Sequence, residues 1–571
     1  MKTPRLLIAA EVDRAARTIL AADFKEDTQI KPCNDPRHGD YQSNVAMVYG
    51  KTLSRNPREL AAILVQSIGE TNIFHLPEIA GPGFINFRLR TAFCTQAINE
   101  AFVQGRFGIE PVAKPQTVVF DYSGPNIAKE MHLGHIRSTI LGDALSRVSR
   151  YLGHNVITDN HLGDWGTQFG KILVGYKQHG DPERLKSEPV LYLEELYQKI
   201  HAASMTDPTI LDQARAELVK LQQGDRENLD LWSQFVDFSL VELNKIYKRL
   251  GVHFDYTLGE SFFRDQLDGV VQELLDHGIA RTSEGAICAF FDNDPQLQDK
   301  PFLIKKSDEG FLYGTTDLAA LQYRIKEWKA DRIVYVTDGR QQLHFQQLFA
   351  VAHKWGISTD LEHVWFGTIL GEDKKPIKSR EGKPIKLREL LDEAELRAQA
   401  IIDEKRPELP ELQRREIARI VGIGALKYAD LAQNRNLDYV FNWNKLIAFE
   451  GNTAPYLQNG YVRIQSIVRK RPPTDHLKGP ITLVEDPEVA LGKKMLEFGD
   501  VLELVAIENR PHFLCVYLYE LATLFHKFYE FCPVLKSEGQ IRLSRLALCA
   551  MVADCLKTGL LLLGIEVLEE M

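Results

Sequence analysis

Two histidines, His132 and His135, lie three residues apart with Gly134 between them, directly after a segment that turns at a proline. Imidazoles at a helix N-terminus can donate hydrogen bonds to phosphate oxygens, and these bonds strengthen as negative charge builds up. Gly134 has no side chain, so a planar ring can approach the backbone closely. The spacing also fits two ordinary surface histidines, and zinc is a weaker alternative because no third ligand follows at a suitable spacing.

The chain has neither of the two common phosphate-binding patterns. GxGxxG is absent, and so is GxxxxGK[ST], since Gly170-Lys171 lacks both the spacing and the hydroxyl that should follow it. If a nucleotide binds at the histidines, other groups must hold its phosphates.

The elements around the histidines predict a strand–helix–strand unit. Thr117–Asp121 is a short apolar run that predicts a buried strand, and helical spacing of apolar residues then continues until Gly153. Val156–Thr158 predicts a second strand. Ligands of doubly wound folds bind where a strand's carboxyl end meets a helix's amino end. The residues that fall in this crevice are Asp121, Asn126, Lys129, His132 and His135.

The 571 residues are too many for one core and predict roughly three to five domains. The expected fold class is α/β, with a Rossmann-like parallel sheet at its centre. We expect a small N-terminal α/β domain at 1–112, the Rossmann-like domain at 113–395 with a helical insertion at about 185–255, a helical connecting segment at 396–450 and an all-α domain at 451–571.

The downstream half of the Rossmann-like domain is predicted to supply further strands to the parallel sheet. These strands are Pro301–Lys305, Ile333–Thr337 and His363–Leu370, separated by helices. From Leu390 onward no strand alternation is visible, and Lys493–Glu508 predicts one helix within an all-α region.

Composition narrows the class of protein. Hydrophobic residues make up 44% and charged residues 26%, and the net charge of −9 leaves only local patches for any nucleic-acid partner. The seven cysteines form no CxxC pair and predict free thiols in a reducing compartment. The apolar stretch Leu546–Ile565 contains Asp554 and Lys557, so we expect no membrane span, and the cytoplasm is the expected location.

The segment PNIAKEMHLGH resembles the HIGH signature of class I aminoacyl-tRNA synthetases, and the form with PNxAK before it and RST after it is similar to the arginyl-tRNA synthetases. Five more stretches resemble the same family in the same order: HLGDWGTQFG, YGTTD at 313–317, QQLHF at 341–345, LGED at 370–373 and EGNTAPYLQ at 450–458. The resemblance covers the chain from about residue 30 to its last residue.

The resemblance implies ATP-dependent activation of L-arginine to arginyl-adenylate, followed by transfer to the 3′ end of tRNA(Arg) with release of AMP and diphosphate. ATP with Mg²⁺ is then a substrate, with no tightly bound cofactor and no protein-held metal, and a monomer without an obligate protein partner is expected. The positions implied to contact ATP are His132, Gly134, His135 and Lys129. Those implied to contact arginine are Asp121, Ser123, Asn126, Tyr313, Asp317 and Gln341.

The arginine pocket should be acidic, because a guanidinium is always protonated and presents a planar fork of donors. Asp121 at its strand end supplies one carboxylate. Asp317 shares a helical face with Tyr313 and supplies another, although a charge at a helix N-terminus is also favoured by the helix dipole alone.

The second class I signature, KMSKS, is degenerate here. The corresponding stretch reads KKPIKSREGK, and Pro376 stands where the first lysine is expected. Many arginyl-tRNA synthetases also have a degenerate loop, and Lys129 resembles the lysine that replaces the missing one in those enzymes. Lys378 and Arg380 are then expected to help at the phosphates, while solvated surface charge is the alternative for these two loop residues.

The remaining implied contacts are with tRNA. The N-terminal domain resembles the family's elbow-contacting domain, where Asn86 and Phe84 are candidates to bind an unpaired base, and at least one of Phe84 and Phe87 should be core. Tyr456 and Arg463 are candidates in the anticodon-binding domain, with core packing an equal alternative for the tyrosine.

Two rival functions stay open at this point. A class I synthetase of another specificity, such as the cysteine enzyme, is disfavoured because the cysteine spacing cannot build its zinc site. A non-catalytic, synthetase-like RNA-binding protein has no physical need for His132, His135, Asp121 and Asp317.

Overall fold

The computed structural model describes residues 2–20, 24–25, 27–33, 35–308, 310–375, 377 and 385–570. Its N-terminal part is a small antiparallel sheet packed on helices. The elements are α1 (Pro4–Leu20), β1 (Ile30–Pro32), β2 (Tyr41–Ser43), α2 (Val45–Thr52), α3 (Pro57–Ile68), β3 (Glu78–Ala80), β4 (Phe84–Phe87) and α4 (Thr91–Gln104). The strand order is β1-β2-β4-β3.

The central part contains the parallel sheet and the inserted helices. The elements up to the insertion are β5 (Thr117–Tyr122), α5 (Leu133–Leu152), β6 (Asn155–Asp159), α6 (Gln168–His179), α7 (Pro182–Ser187), α8 (Pro189–Thr206), α9 (Pro208–Gln222) and α10 (Arg226–Leu250). Those that follow are α11 (Leu267–Asp276), β7 (Ala280–Ser283), β8 (Ala286–Ala289), β9 (Phe302–Lys305), α12 (Tyr313–Lys326), β10 (Arg332–Val336), α13 (Gln342–Lys354), β11 (Asp360–His363) and β12 (Ile369–Leu370).

The C-terminal third is helical, as predicted, with one short strand. Its elements are α14 (Leu387–Lys405), α15 (Glu411–Leu431), β13 (Tyr439–Val440), α16 (Trp443–Leu446), α17 (Ala454–Arg469), α18 (Asp486–Leu496), α19 (Phe498–Glu508), α20 (His512–Phe531) and α21 (Gly539–Leu562). No described helix is long and apolar enough to cross a membrane.

The predicted strand–helix–strand unit is confirmed, and it forms the middle of a four-stranded parallel sheet of order β11-β10-β5-β6. Helix α5 is buried on nearly every face because the sheet lies on one side and C-terminal helices lie on the other. Gly142 allows the close approach to β5, since a Cβ there would fall 2.2 Å from the Tyr122 ring. The helix ends at Gly153, which adopts the left-handed conformation with φ of 102°.

Two of the strands predicted for the parallel sheet are assigned wrongly. Phe302–Lys305 pairs antiparallel with β8 in a separate three-stranded sheet of order β7-β8-β9. The stretch predicted as one strand, His363–Leu370, divides into the end of β11 and β12, which pairs with β13. An apolar run predicts a strand but carries no information about its partner, so the sequence does not distinguish the parallel sheet from a separate sheet for either stretch.

Two smaller predictions in the C-terminal third are also wrong. Strand β13 has two residues, too few to show an alternating pattern. The single helix predicted over Lys493–Glu508 is two helices that meet at Glu497, which caps the end of α18 and the start of α19. The boundaries of the domains stay a prediction.

The N-terminal sheet and the C-terminal helices are in direct contact. The Lys493 ammonium lies 2.8 and 2.9 Å from the two carboxylate oxygens of Asp40, and Arg5 Nε lies 2.9 Å from Asp500. Asn99 exchanges two hydrogen bonds with the backbone of Ile481. These contacts join the N-terminal part of the chain to its C-terminal third.

Candidate functional site

The floor of the site is formed by side chains at the carboxyl ends of three neighbouring strands. The register places Asp121 of β5 opposite Asp159 of β6 on one side and Tyr335 of β10 on the other. Arg324 of α12, only 1% exposed, places Nη2 2.7 Å from an oxygen of each aspartate. Burial raises the pKa of Asp121 and the adjacent guanidinium opposes that shift. The predicted carboxylate is therefore present, but it is already paired with an arginine of the protein.

The histidine turn is built by two reciprocal caps. His132 is the N-cap of α5, and its Nδ1 accepts a hydrogen bond of 3.0 Å from the Gly134 N–H. The Nδ1 of His135 accepts a bond of 3.0 Å from the His132 N–H. Because each Nδ1 is an acceptor, the ring proton of each neutral histidine lies on Nε2.

Burial keeps both histidines neutral. It lowers the pKa of His135 to about 3 and also lowers the pKa of His132, with the nearby Arg340 adding to the second shift. The rings are 4.0 Å apart between centroids, and a Cβ at position 134 would fall 2.9 Å from His132 Cε1. The turn therefore presents two neighbouring N–H donors, and Gly134 leaves room for their rings.

A cavity of about 370 Å³ opens between the histidine turn and α12. Nine of the predicted site residues line it: Asp121, Ser123, Asn126, His132, Gly134, His135, Tyr313, Asp317 and Gln341. Their segments are far apart in the sequence and meet only through the parallel sheet and the helices that follow its strands. The volume falls in the range of small-molecule sites.

Asp317 lies at the opposite end of the cavity from the histidines. Its Oδ2 is 2.6 Å from Nε2 of His344, and its Oδ1 is 3.9 Å from Nε2 of His161. Burial acts to raise the pKa of Asp317, but the hydrogen bond and charge of His344, together with the charges of His161 and Arg324, outweigh burial and the pKa is lowered. Tyr313 stands one helical turn earlier at the rim, 61% exposed, with its ring 4.8 Å from that of His344.

Ser123 and Asn126 shape the wall between the two ends. The Ser123 hydroxyl is buried and bonded to Tyr247 at 2.8 Å and Thr139 at 2.9 Å, and its φ of 74° turns the chain sharply after β5. Asn126 is exposed to the cavity and its Oδ1 occupies the space of a side chain at Gly163, where a Cβ would fall 2.0 Å away. Asn126 is thus available to a ligand, while the Ser123 hydroxyl has internal partners.

Among the described residues, Lys129 is not part of the cavity lining. Its Nζ lies 5.3 Å from the ring centroid of Tyr197 on α8. Lys171 approaches the same ring at 5.7 Å and places its Nζ 2.8 Å from His201 Nδ1. In this arrangement Lys129 is held against the helical insertion.

The ends of the basic loop are fixed by backbone pairing. On one side β12 pairs with β13, and on the other Leu133 N donates to Ile385 O at 3.1 Å and Leu387 N donates to Met131 O at 2.8 Å. The second pairing attaches the loop directly to the histidine turn. Lys378 and Arg380 lie outside the described residues.

The sequence comparisons agree with this geometry. The model of the class I arginine tRNA synthetase catalytic domain matches residues 97–443, that of the DALR anticodon binding domain matches 457–571, and that of the arginyl tRNA synthetase N-terminal domain matches 6–89. The arginine–tRNA ligase of Laribacter hongkongensis is 46% identical over 570 residues, which cover 98% of this chain and 99% of the relative. The chain belongs to the arginyl-tRNA synthetases.

Solved structures give the same result for the fold. The arginyl-tRNA synthetase of Plasmodium falciparum superposes with a TM-score of 0.86 at 30% identity and covers 100% of both chains. The Thermus thermophilus arginyl-tRNA synthetase, at 23% identity, has the same fold, with a TM-score of 0.84 over 99% of this chain and 100% of its own.

Residues that sequence reasoning missed complete the acidic end of this synthetase site. Glu260 lines the cavity close to Asp317, and burial raises the pKa of its carboxyl to about 7. Within the described residues Glu260 forms no ion pair. His161 donates from Nδ1 to Leu258 O at 3.0 Å, which leaves its buried Nε2 directed toward Asp317.

The sequence contained only weak signals for these residues. His161 and His344 stand inside HLGDWGTQFG and QQLHF, both of which resemble the family, whereas Glu260 is the first residue of a 3₁₀ helix, Glu260–Gln266, outside these stretches. None of the three shares a local spacing pattern with Asp317.

The residues predicted to contact tRNA lie outside the cavity. Asn86 of β4 is buried, and its Oδ1 has no hydrogen-bond partner among the residues that the structure describes. Phe84 is half-buried at the start of that strand, and Phe87 is core. In α17 the Tyr456 hydroxyl bonds to His526 Nδ1 at 2.8 Å, and Arg463 is exposed. Of the four residues predicted to contact tRNA, Arg463 is the one that is exposed and could contact a phosphate in this conformation.

A metal site is not apparent in the described ranges, where no group of three or more His, Cys, Asp and Glu side chains could hold an ion. The seven cysteines are all free.

Proposed function

We propose an assignment of the two steps of arginine–tRNA ligation to the residues of this site. The chain is a class I aminoacyl-tRNA synthetase of the arginine family. The observation that carries the assignment is the polarity of the cavity. Two of its carboxylates, Asp317 and Glu260, lie near each other and form no ion pair with an arginine of the described residues, whereas Asp121 and Asp338 are paired with Arg324 and Arg340. The two N–H donors belong to the histidine turn. Arginine has a cation at one end and a carboxylate that must meet a phosphate at the other.

In the first step, the guanidinium of arginine binds between Asp317 and Glu260. A charged fork matches two carboxylates, and Tyr313 at the rim can cover the aliphatic stem. Asn126 holds the amino and carboxyl groups further along the cavity. Asp121 supports this end indirectly through its pairing with Arg324 and needs no direct contact with the ligand.

The phosphates of ATP lie at the histidine turn. The arginine carboxylate oxygen attacks the α-phosphorus, the bond to the bridging oxygen breaks and diphosphate leaves with its electron pair. Nε2–H of His132 and of His135 donates to oxygens that gain charge in this step. Lys129 moves from the Tyr197 ring toward the leaving group, and Mg²⁺ arrives bound to the nucleotide as part of the substrate.

In the second step, the 3′ end of tRNA(Arg) enters through a neighbouring cleft of about 810 Å³. This cleft shares Glu260 and Tyr313 with the cavity, so it opens directly on the arginyl group. Its wall contains Trp165, whose ring centroid lies 5.4 Å from the Arg264 guanidinium, and Lys306. Aromatic and cationic side chains together are typical of sites for single-stranded nucleic acid. A terminal ribose hydroxyl attacks the arginyl carbonyl carbon, and AMP leaves.

A panel assay tests the reaction itself. Diphosphate exchange into ATP is measured with each of the twenty amino acids in the presence of tRNA(Arg), followed by transfer to the tRNA. Arginine alone should support both. Exchange with another amino acid and none with arginine would refute the assignment.

A second experiment tests the cleft. Arg264→Ala should raise KM for tRNA about tenfold in aminoacylation and leave KM for arginine unchanged. Lys326→Ala, at the exposed far end of α12, is the matched control. A tRNA lacking its unpaired 3′ nucleotides should inhibit the wild type and Arg264→Ala with equal Ki. If the variant binds the truncated tRNA more weakly by the same factor as the intact tRNA, the 3′ end binds elsewhere.

A further inference from the structure

Arg137 is a buried cation that takes no part in the steps described above. It lies on α5, two residues after His135, and is 1% exposed. Its Nε is 3.1 and 3.0 Å from the two carboxylate oxygens of Asp430 on α15. Its Nη1 donates to the Gly367 carbonyl at 2.6 Å. One guanidinium therefore joins the helix of the histidines to two other segments.

Aromatic rings enclose this guanidinium. Its central carbon is 5.4 Å from the ring centroid of Phe366 and 5.2 Å from that of Tyr439. The Tyr439 hydroxyl in turn donates to Asp430 at 3.3 Å. Stacking and forked hydrogen bonding together are specific to arginine, because a lysine ammonium has neither the plane nor the spread of donors.

The segment that Arg137 holds forms a wall of the cavity. Phe366 lines the cavity, and its carbonyl accepts a bond of 3.0 Å from Gly339, at the turn that carries Arg340 and Gln341. Immediately afterwards comes β12, which leads into the basic loop. The position of Phe366–Leu370 thus affects both the shape of the cavity at its nucleotide end and the point at which the basic loop begins.

The same segment is bonded tightly to the chain around β13. Gly367 N donates to Arg435 O at 2.8 Å, and Thr368 N donates to Asp438 Oδ1 at 2.6 Å. A Cβ at Gly367 would lie 2.7 Å from Asp438 Oδ1 and 2.8 Å from the Leu437 carbonyl. The backbones approach too closely for a side chain, so a small displacement of α15 and β13 must also move this wall.

We propose that Arg137 is a positioning residue that, through Asp430 and Gly367, sets the distance between the histidine turn and the segment leading into the basic loop. It acts on the nucleotide end of the reaction without touching substrate. The proposal rests on the proposed function of the cavity. Since α15 carries Asp430 and packs against α17 and α20, the position of these helices should also affect nucleotide binding.

The test uses Arg137→Lys in the full chain. The lysine keeps the positive charge opposite Asp430 but cannot hold the Gly367 carbonyl at the same time. In the diphosphate-exchange assay, KM for ATP should rise about tenfold and KM for arginine should stay within twofold. Titration of active sites shows what fraction of each variant is folded and active. Arg147→Lys is the matched control, because Arg147 on the same helix also joins a carboxylate, Asp143, to a backbone carbonyl, Gly251, but holds no part of the cavity.

A second readout is independent of catalysis. Hydrogen exchange of the amides of Gly367, Thr368 and Phe441, which are bonded across this junction, should be at least tenfold faster in Arg137→Lys than in Arg147→Lys. If both KM for ATP and the hydrogen exchange of these amides are unchanged in Arg137→Lys, the proposal is overturned. If the wild type shows no arginine-dependent diphosphate exchange, the proposed function of the cavity is wrong. The hydrogen exchange of the amides still decides whether Arg137 positions this segment.

Discussion

The two ends of the cavity are built in different ways. The histidine end is local: His132, Gly134 and His135 cap one another within four residues, and the backbone alone fixes both rings. The acidic end is assembled from distant segments, with Asp317 from α12, His344 from α13 and Glu260 from the 3₁₀ helix before α11. The first geometry depends on one turn of helix. The second depends on the whole sheet and the helices packed on it.

The largest expected effect is at the acidic end. Asp317→Asn keeps the shape of the side chain and an acceptor for His344 but removes the charge that faces the guanidinium. Loss of one buried charge partner costs roughly 2–5 kcal/mol in binding, so KM for arginine should rise about thirtyfold to several thousandfold, with KM for ATP within threefold. Glu327→Gln, on the exposed end of the same helix, serves as control. An unaltered KM for arginine would remove Asp317 from the pocket.

The next effect separates the two jobs of His132. His132→Ala removes both the cap and the Nε2–H donor, whereas His132→Asn can keep the cap through its side-chain oxygen. If the donor stabilises the departing phosphates, both variants should lower kcat for diphosphate exchange by about a hundredfold. Restoration of kcat by asparagine would mean that His132 acts only as a helix cap.

The smallest effect is a pH dependence that belongs to the acidic end alone. Because burial raises the pKa of Glu260 to about 7, the carboxyl is protonated below that pH and must lose its proton when a guanidinium binds. KM for arginine should therefore increase as pH falls below 7, by up to about tenfold per unit. Glu260→Gln should raise KM about tenfold at pH 8 and abolish the dependence. A wild-type KM that is flat from pH 6 to 8 would contradict this role.

Sequence reasoning succeeded where the structure is local. The strand at Thr117–Asp121, the helix that ends at Gly153 and the histidine turn all depend on neighbours in the chain, and the structure has each of them. The YGTTD segment was also assigned correctly to a helix, with Tyr313 and Asp317 on one face toward the cavity.

It failed where the partner of a residue lies elsewhere in the chain. Asp121 was predicted as a carboxylate of the arginine pocket, and no pattern in the sequence shows that Arg324 folds back to pair with it. Phe302–Lys305 has the composition of any buried strand, so its place in a separate antiparallel sheet could not be read from it. The burial of Asn86 depends likewise on the neighbouring strands of its sheet.

The triplet of Asp121, Arg324 and Asp159 also has a consequence for how this sequence can change over generations. All three side chains are almost completely enclosed, and the arginine is shared by both acids. Replacement of Arg324 by a neutral residue leaves two like charges without a partner in the interior, which costs about 3–5 kcal/mol, a large part of the total stability of a typical protein. Replacement of one aspartate leaves a compensated pair. Arg324 is therefore expected to change only together with both aspartates, and a combined replacement of all three by apolar residues of similar volume should destabilise the fold less than replacement of Arg324 alone.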